Sequence, residues 1–253
     1  MRIIISPAKK MRIDSDTLPH KALPHFMKET ESLFAYLRTL SYAELKSIWK
    51  CNDSIAEQNY RRIQTMDLYK NLTPCILSYD GLQFNYIKAE VFESSHLEYI
   101  EEHLRIVSGF YGILRPFDGV VPYRLEMQAV LKDWHTNSLY HFWKDSLAEN
   151  LLSESDCIVN LASKEYSKCI TPYLKQDTVF VTCVFGEIKD EKVIEKGTYA
   201  KMARGEMVRF MAENKIEDVG EIKKFNRLNY VYAKDLSDEK KYVFLRNKHK
   251  TVH

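Results

Sequence analysis

The sequence lacks the cysteine pattern of a disulfide-stapled or zinc-binding protein. Its five cysteines are an odd number, lie far apart and form no C-x-x-C pair, and several fall in apolar runs such as DCIVNLAS and VFVTCVFGE. A chain of 253 residues can bury a sizeable core without covalent staples. We therefore expect reduced, mostly buried thiols in a cytoplasmic protein.

Long apolar runs and a strong charge imbalance are also missing. No window approaches the roughly 18 apolar residues of a membrane span, and the start, MRIIISPAKK, has too few apolar residues for a signal-peptide core. We expect no association with a membrane. The net charge of +2 is too small to indicate a polyanionic partner by itself, so such a partner must be inferred from clustered charges.

Most short motifs of catalysis and metal binding are absent. The chain contains no Walker loop, dinucleotide fingerprint, G-x-S-x-G elbow or cysteine–histidine signature. His96 and His103 lie two helical turns apart, and an aromatic-rich stretch separates His135 from His141, but neither pair has the spacing of metal ligands. We expect neither a bound metal nor a cofactor.

Hydrophobic periodicity predicts a single compact domain over residues 1–253, because no flexible linker, repeat or low-complexity tract divides the chain. Predicted strands are RIII, TPCILSYDG, CIVNLAS and TVFVTCVFGEI, followed by a hairpin of NYVYAK and KYVFLR. Predicted helices cover residues 24–40, a short segment after Ser41, and residues 52–66, 95–107, 139–152 and 199–214. This order predicts an α/β (α+β) fold with a mixed β-sheet flanked by helices.

The run HLRIVSGFYGILRPFDGVVPYRLEM, residues 103–127, has two glycines three residues apart and three arginines. If a helix ends near residue 107, Gly109 and Gly112 could turn the chain and expose amides to a phosphate, with Arg115 beside it. Helix-hairpin-helix modules grip a nucleic-acid backbone in this way. The alternative is a glycine cap followed by an ordinary turn, because Pro116 cuts a second helix short.

Three further groups could bind an anion. In GTYAKMARGEMVRFMAEN, a helical wheel sets Gly205 among three cations, opposite the core face, although such basic faces are often only solvated. A strand end delivers Lys9 and Lys10 into a loop, where solubility explains them almost as well. Arg124 and Glu126 could act as an anion clamp and a general base, or form a structural ion pair. The cations around Gly205 are Lys201, Arg204 and Arg209.

With these residues laid out, the sequence resembles the YaaA family in ordered blocks along nearly the whole chain. The blocks are ISPAK, HLRIVSGFYGILRPFD, PYRLEM, the FW pair at 142–143, NLAS and AKMARG. The resemblance implies a bacterial cytosolic protein that protects against hydrogen peroxide by limiting iron-driven damage. It also implies a compact α/β fold with a basic cleft and a helix-hairpin-helix element that bind double-stranded DNA with little sequence preference.

The resemblance carries over to individual positions. For contact with DNA or another anion the candidates are Lys9, Lys10, Gly109, Gly112, Arg115, Arg124, Lys201, Arg204, Gly205 and Arg209. Further candidate cleft residues are Ser108, Tyr111, Tyr123, Glu126, Asn160 and Ser163. The chain departs from the family at Lys10 and Met11, where threonine and leucine are common, and in FNRLNY, which lacks a glycine before its tyrosine. Residues 95–115 are the preferred hairpin, and residues 41–66 are the alternative.

Two functions from different classes follow. The leading hypothesis is a stress protein that binds double-stranded DNA with little sequence preference. The alternative is an enzyme that acts on a nucleotide-like or phosphorylated small molecule in the same cleft, with Lys9, Arg124 and Glu126 at its centre. Direct ligation of iron, a third idea, lacks the ligand spacing. No feature of the sequence indicates an oligomeric state.

Overall fold

The computed structural model describes residues 1–14, 16–132, 134 and 136–247. Its strands are β1 Arg2–Ile5, β2 Lys10–Met11, β3 Thr73–Pro74, β4 Tyr79–Asp80, β5 Leu104–Ser108, β6 Gly112–Leu114, β7 Gly119–Val120, β8 Cys157–Leu161, β9 Val179–Lys189, β10 Lys192–Ile194, β11 Tyr230–Tyr232 and β12 Lys241–Arg246. Its α-helices are α1 Met27–Thr39, α2 Tyr42–Trp49, α3 Asp53–Thr65, α4 Cys75–Ser78, α5 Leu82–Ile87, α6 Ser94–His103, α7 Leu139–Trp143, α8 Ser146–Glu154, α9 Lys164–Ser167 and α10 Gly197–Glu213. Short 3₁₀ segments lie at Ala89–Val91, Thr171–Tyr173, Val219–Lys224 and Lys234–Leu236.

A mixed sheet forms the centre of the molecule, in the order β11-β12-β9-β8-β1-β5-β6, with β10 paired to β9. The pairs β12–β9, β9–β8, β8–β1 and β1–β5 are parallel, whereas β6 and β11 close the two ends as antiparallel strands. The inner strand β1 reads RIII, and its three isoleucines are fully buried, as expected for a parallel strand covered on both faces. The predicted mixed sheet flanked by helices is confirmed.

The ends of the parallel strands determine where loops meet. Ile5 pairs with both Ile106 and Leu161, so β1, β5 and β8 finish at the same edge of the sheet. In open sheets of this kind, ligands bind in the crevice outside the carboxyl ends of the strands. The segments that follow β1 and β8 therefore meet where a ligand site is expected.

Several predicted elements are wrong in their type or extent. The helix predicted over 95–107 ends at His103, because Leu104–Ser108 forms a buried strand beside β1. The strand predicted over TPCILSYDG is interrupted by the short helix α4. The helix predicted over 139–152 is two helices, separated at Lys144, whose φ of 45° is not helical. At residues 104–108, pairing with β1 overrides the local periodicity.

Helix α10 lies against the sheet strand β9 and also against α5 and α6. Ala203, Met207, Phe210 and Met211 are buried on the predicted core face, and Gly205 and Val208 are buried on the side predicted to be exposed. The helix is thus covered on two sides and keeps only a narrow exposed strip. Across the described parts of the chain, every helix is too short or too polar to cross a bilayer.

Candidate functional site

A pocket of about 330 Å³ opens at the carboxyl ends of β1 and β8. The loop that follows β1 forms one wall, the start of α9 forms another, and the amino-terminal half of α5 and one turn of α10 complete it. The predicted candidates Lys9, Lys10, Ser163, Lys201 and Arg204 all line this pocket. The structure therefore brings together residues that lie almost 200 positions apart in the sequence.

Hydrogen bonds between the two strand ends fix the floor of the pocket. The Ser163 amide donates to Ser6 Oγ at 2.8 Å, and the Ser6 hydroxyl donates to Ser163 Oγ at 3.2 Å. Asn160 shapes the same turn, because its Oδ1 accepts from the Ala162 amide at 3.0 Å and its Nδ2 donates to Thr182 Oγ1 at 3.2 Å. Asn160 is buried, so it supports the pocket from below and does not line it.

Three lysines stand at the mouth of the pocket and differ in their partners. Lys9 Nζ lies 2.6 Å from Glu126 Oε2, and Lys10 Nζ lies 2.6 Å from Asp80 Oδ2, but the two side chains remain 64% and 78% exposed. Such exposed ion pairs contribute little stability and exchange readily for another anion. Lys201 is exposed, and no carboxylate of the described residues lies within 4.0 Å of it. We call Lys9, Lys10 and Lys201 the cleft lysines.

Arg124 and Glu126 form the ion pair that the sequence left as one of two alternatives. Arg124 Nη2 lies 3.0 Å from Glu126 Oε1, while the other oxygen of Glu126 faces Lys9. The indole of Trp49, at the end of α2, donates to the Arg124 carbonyl. This chain of contacts connects the end of α2 to Lys9 at the mouth of the pocket.

Two carboxyl groups, those of Asp80 and Glu165, face the pocket among its cations. Burial raises the pKa of Glu165, and the nearby Glu126 adds to this, although a hydrogen bond from the Gln128 amide opposes it. A raised pKa keeps part of this carboxyl population protonated at a higher pH than usual, which reduces its repulsion of an anion. The electrostatic balance of the pocket is positive.

The predicted phosphate grip around Gly109 and Gly112 is wrong. Residues 104–114 form a β-hairpin in which Ser108 pairs with Gly112, and the amides of Phe110 and Tyr111 both donate to Ser108 Oγ, at 3.1 and 2.9 Å. Gly109 and Tyr111 are buried, so these amides are not available to a ligand. The preferred helix-hairpin-helix over residues 95–115 therefore does not exist in this fold.

The backbone structure explains why residues 109 and 112 of this turn are glycines. A Cβ on Gly109 would lie 2.8 Å from the Leu125 carbonyl oxygen, and Gly112 has a φ of +72°, which favours glycine. Ser108 and Tyr123 share a buried hydrogen bond of 2.6 Å, and Tyr123 continues at 2.8 Å to Tyr79. Ser108, Tyr111 and Tyr123 thus hold the hairpin to its neighbours and do not line the pocket.

Arg115 lies at the opposite edge of the sheet from the pocket. It follows β6, which runs antiparallel to β5, so it ends beside the amino end of β5. Glu154 is the shared partner of Arg2, Arg105 and Arg115, at 2.9, 2.6 and 3.1 Å. The expectation that Arg115 stands beside a phosphate held by Gly109 and Gly112 is therefore wrong.

Gly205 and Arg209 also differ from their predicted setting. A Cβ on Gly205 would lie 2.1 Å from the Gln83 carbonyl oxygen, so this glycine allows α10 to approach α5 closely and does not face solvent. Arg209 Nε lies 2.8 Å from Glu213 Oε1, and its guanidinium lies over the Phe92 ring. Of the predicted basic face, Lys201 and Arg204 remain at the pocket.

Sequence reasoning missed four polar residues of the site. Ser6, Asp80, Gln83 and Glu165 line the pocket. Ser6 follows a buried strand and had a signal, because ligand loops begin at such positions. Gln83 had none, since it sits in a short helix whose place against α10 depends on the tertiary fold. Its Nε2 and the Nε of Arg204 are buried and have no hydrogen-bond acceptor in the described part of the chain.

The histidines do not form a metal site within the described residues, which hold no group of three or more histidine, cysteine, aspartate or glutamate side chains placed to bind an ion. His103 is buried, and its Nδ1 lies 2.9 Å from the Met1 carbonyl oxygen. His135 lies outside the described residues. Cys75, Cys169 and Cys183 are buried, as expected, and Cys51 and Cys157 are partly exposed.

Comparison with known proteins gives consistent matches along the chain. The family described as peroxide stress protein YaaA matches residues 1–236. A protein of Lachnoclostridium phytofermentans named UPF0246 protein is 58% identical over 246 residues, which cover 97% of this chain and 96% of that protein. Proteins of the same name from Agathobacter rectalis and Pediococcus pentosaceus are 53% and 50% identical, over 97% and 98% of this chain and 99% and 98% of theirs.

Proposed function

This chain belongs to the YaaA family of peroxide stress proteins, and from that premise we propose that it binds double-stranded DNA through the basic cleft, with little sequence preference. The observation that supports this most is the meeting of the cleft lysines at one edge of the sheet. Lysines that are exposed and only weakly paired contact phosphates without reading bases. In this proposal, Lys9 and Lys10 exchange their carboxylate partners for phosphates.

The helical hairpin of α2 and α3 is the second part of the proposed surface. Ser41 and Glu44 form a capping box at the start of α2, Lys50 ends α2 with a φ of 45°, and Asn52 caps α3 by accepting from the Ile55 amide. This is the segment 41–66 that the sequence left as the alternative hairpin. The Trp49 contact with Arg124 sets it beside the cleft lysines, where it would extend the footprint on a duplex.

Protection against peroxide would follow from occupying the DNA backbone. Each lysine that contacts a phosphate releases cations condensed on the duplex, and iron(II) is among the cations that phosphates attract. Fewer iron ions on the DNA mean fewer hydroxyl radicals formed next to it. We propose that the protein limits iron-driven damage in the cytoplasm in this way.

Salt-dependent binding to short duplexes tests the proposal. Fluorescence anisotropy with two duplexes of unrelated sequence should give affinities that agree within about threefold, as expected for phosphate contacts alone. Three phosphate contacts predict a slope of log K against log salt near −2.7, or about a 40-fold loss between 50 and 200 mM salt. An affinity that does not change with salt would exclude the backbone contacts proposed here.

A matched pair of triple variants locates the contacts. Lys→Gln at Lys9, Lys10 and Lys201 should reduce the salt slope by about one unit for each lysine. The control carries Lys→Gln at three exposed lysines outside the pocket, Lys70, Lys224 and Lys241, which we call the reference lysines. Both variants lose the same charge, so equal losses of affinity would mean that general attraction, and not the cleft, causes binding.

A further inference from the structure

The pocket behind the cleft lysines has the dimensions of a small-ligand site. Its volume of about 330 Å³ falls in the range of roughly 300–1,000 Å³ that such sites occupy, and it is far too small for a duplex. It lies at the carboxyl ends of β1 and β8, the usual position for a ligand in a parallel sheet. A surface that only contacted a duplex backbone would not need a pocket at this point.

The donors in the pocket outnumber its acceptors. Its lining carries four cationic side chains but the carboxyl groups of only Asp80 and Glu165, and the hydroxyls of Ser6 and Ser163 lie at its floor. A carboxylate has two oxygens, whereas a phosphate monoester has three terminal oxygens and up to two charges. The donor set matches a phosphate monoester better than a carboxylate.

Two buried side-chain nitrogens in residues that line the pocket also indicate a ligand. Gln83 is only 7% exposed and lines the pocket, and its Nε2 has no acceptor among the described residues. Arg204 also lines the pocket, and its Nε has no acceptor within the same part of the chain, although its Nη2 lies 3.2 Å from Glu195 Oε1. A buried donor without an acceptor costs free energy, which a ligand rich in acceptor oxygens would recover. Both nitrogens have almost no exposed surface, so the two side chains must turn toward a bound phosphate to reach it.

The pocket lining also contains apolar groups, including rings. Pro7, Phe84 and Tyr166 line the pocket together with its cations. A phosphate alone would contact only the polar groups, whereas a phosphate attached to a flat, partly apolar body would contact both kinds of group. We propose that the pocket binds a small phosphate monoester of mononucleotide type, with the phosphate toward Ser6, Ser163 and Arg204. This inference does not rest on DNA binding.

Calorimetry on the full chain, without DNA, tests the proposal with three probes: adenosine monophosphate, adenosine and inorganic phosphate. The monophosphate should bind at least about tenfold more tightly than either part alone, because only it contacts both the cations and the rings of the lining. A monophosphate that binds no better than adenosine would overturn the proposal. Because no DNA is present, this result is separate from success or failure of the duplex titration.

A matched pair of glutamine variants tests the location. Gln83→Met keeps the length and volume of the side chain but removes the unpaired amide, and it should weaken monophosphate binding by roughly fivefold. Gln64→Met makes the same change at an exposed position of α3 and should leave binding as it is. Equal affinity of a folded Gln83→Met protein and the parent would overturn the proposal.

Two further measurements check whether the Gln83→Met variant folds and which molecule carries the phosphate. If thermal melts show that Gln83→Met does not fold, Ser163→Ala replaces it, with an expected loss of about threefold. A 20-base-pair duplex with 5′-phosphates and the same duplex with 5′-hydroxyl ends then compete against the monophosphate. Stronger displacement by the phosphorylated duplex would identify a DNA terminus as the source of the monoester, and equal displacement would identify a free nucleotide.

Discussion

Individual residues in this chain often have a different task from the one their type suggests. Arg115 looks like a phosphate ligand in the sequence, but it completes a cluster of three arginines around Glu154. Burial alone would raise the pKa of Glu154, but hydrogen bonds from Arg2, Arg115 and Arg105 and the charge of Arg105 hold it below its usual value. The carboxylate is therefore charged and compensates the buried Arg105.

The pKa of Asp118, which lies beside this cluster, is shifted in the opposite direction. Burial raises its pKa to about 7, in spite of a hydrogen bond from the Arg115 amide at 2.8 Å and the charges of two arginines. In the unfolded chain the pKa returns to about 3.9, so the folded state holds the proton over the range between these values. Asp118 therefore contributes stability that is complete below about pH 4 and is lost as pH rises toward 7.

We predict that Asp118→Asn removes this part of the pH dependence. The amide keeps an oxygen for the Arg115 amide but has no charge, so the variant should gain stability relative to the parent as pH rises from 4 to 7. The difference should grow by up to about 1.4 kcal/mol per pH unit. Urea unfolding of both proteins at several pH values measures it, and parallel profiles would contradict the assignment.

The segment FNRLNY has an unusual backbone conformation. It contains no glycine, yet Leu228 and Asn229 have φ values of 53° and 62°. Both lie in the left-handed region, where glycine is favoured and a branched residue such as leucine is strained. The backbone shape is thus the one a glycine would adopt, and this chain adopts it without one.

Elements whose sequence fits one periodicity could be predicted, and elements whose sequence fits both the helical and the strand pattern could not. The strands β1, β8 and β9, the closing hairpin and α10 follow from apolar runs and periodicity. Residues 104–108 carry both a helical pattern and a β-branched pair, and only pairing with β1 decides between them. The candidate site could be predicted only in part for a similar reason. Tertiary packing sets the position of α5 against α10, and this packing brings Gln83 to the pocket.

The contact between α10 and α5 depends on Gly205. Replacing this glycine with alanine should therefore change stability in the opposite direction from the one that the sequence indicated. On an exposed helix face, Gly205→Ala would stabilise the helix slightly. Here its Cβ would lie 2.1 Å from the Gln83 carbonyl oxygen and 2.8 Å from the Tyr86 Cβ, so one helix must move. We predict that Gly205→Ala lowers the free energy of unfolding by about 1–3 kcal/mol.

Gly197 in the same helix supplies the control. No atom of residues 1–14, 16–132, 134 and 136–247 other than its chain neighbours and its own helix backbone lies within 4 Å of a Cβ placed on it, and it stands at the first position of α10. Gly197→Ala should therefore leave stability unchanged or raise it slightly. Urea melts of the two variants compare the same substitution in one helix, and equal stabilities would show that α10 and α5 tolerate a wider separation.

At the scale of the whole molecule, the sheet separates two charged regions. The amino edge holds the arginine cluster, whose charges are compensated by Glu154 and partly buried. The carboxyl edge holds the cleft lysines, whose charges are exposed and weakly compensated. A net charge of only +2 hides this asymmetry, because it depends on which loops meet and not on composition. Ligands that carry phosphate should meet the carboxyl edge.

The position of the DNA-binding cleft is tested most directly by lysine-labelling footprinting with and without a short duplex. Mass spectrometry then reports the reactivity of many lysines in one sample. At a salt concentration where anisotropy shows full binding, Lys9, Lys10 and Lys201 should become protected from acylation. The reference lysines Lys70, Lys224 and Lys241 should react as they do in the free protein. Equal protection of both sets, or protection of the reference lysines alone, would contradict a DNA-binding cleft at the carboxyl edge of the sheet.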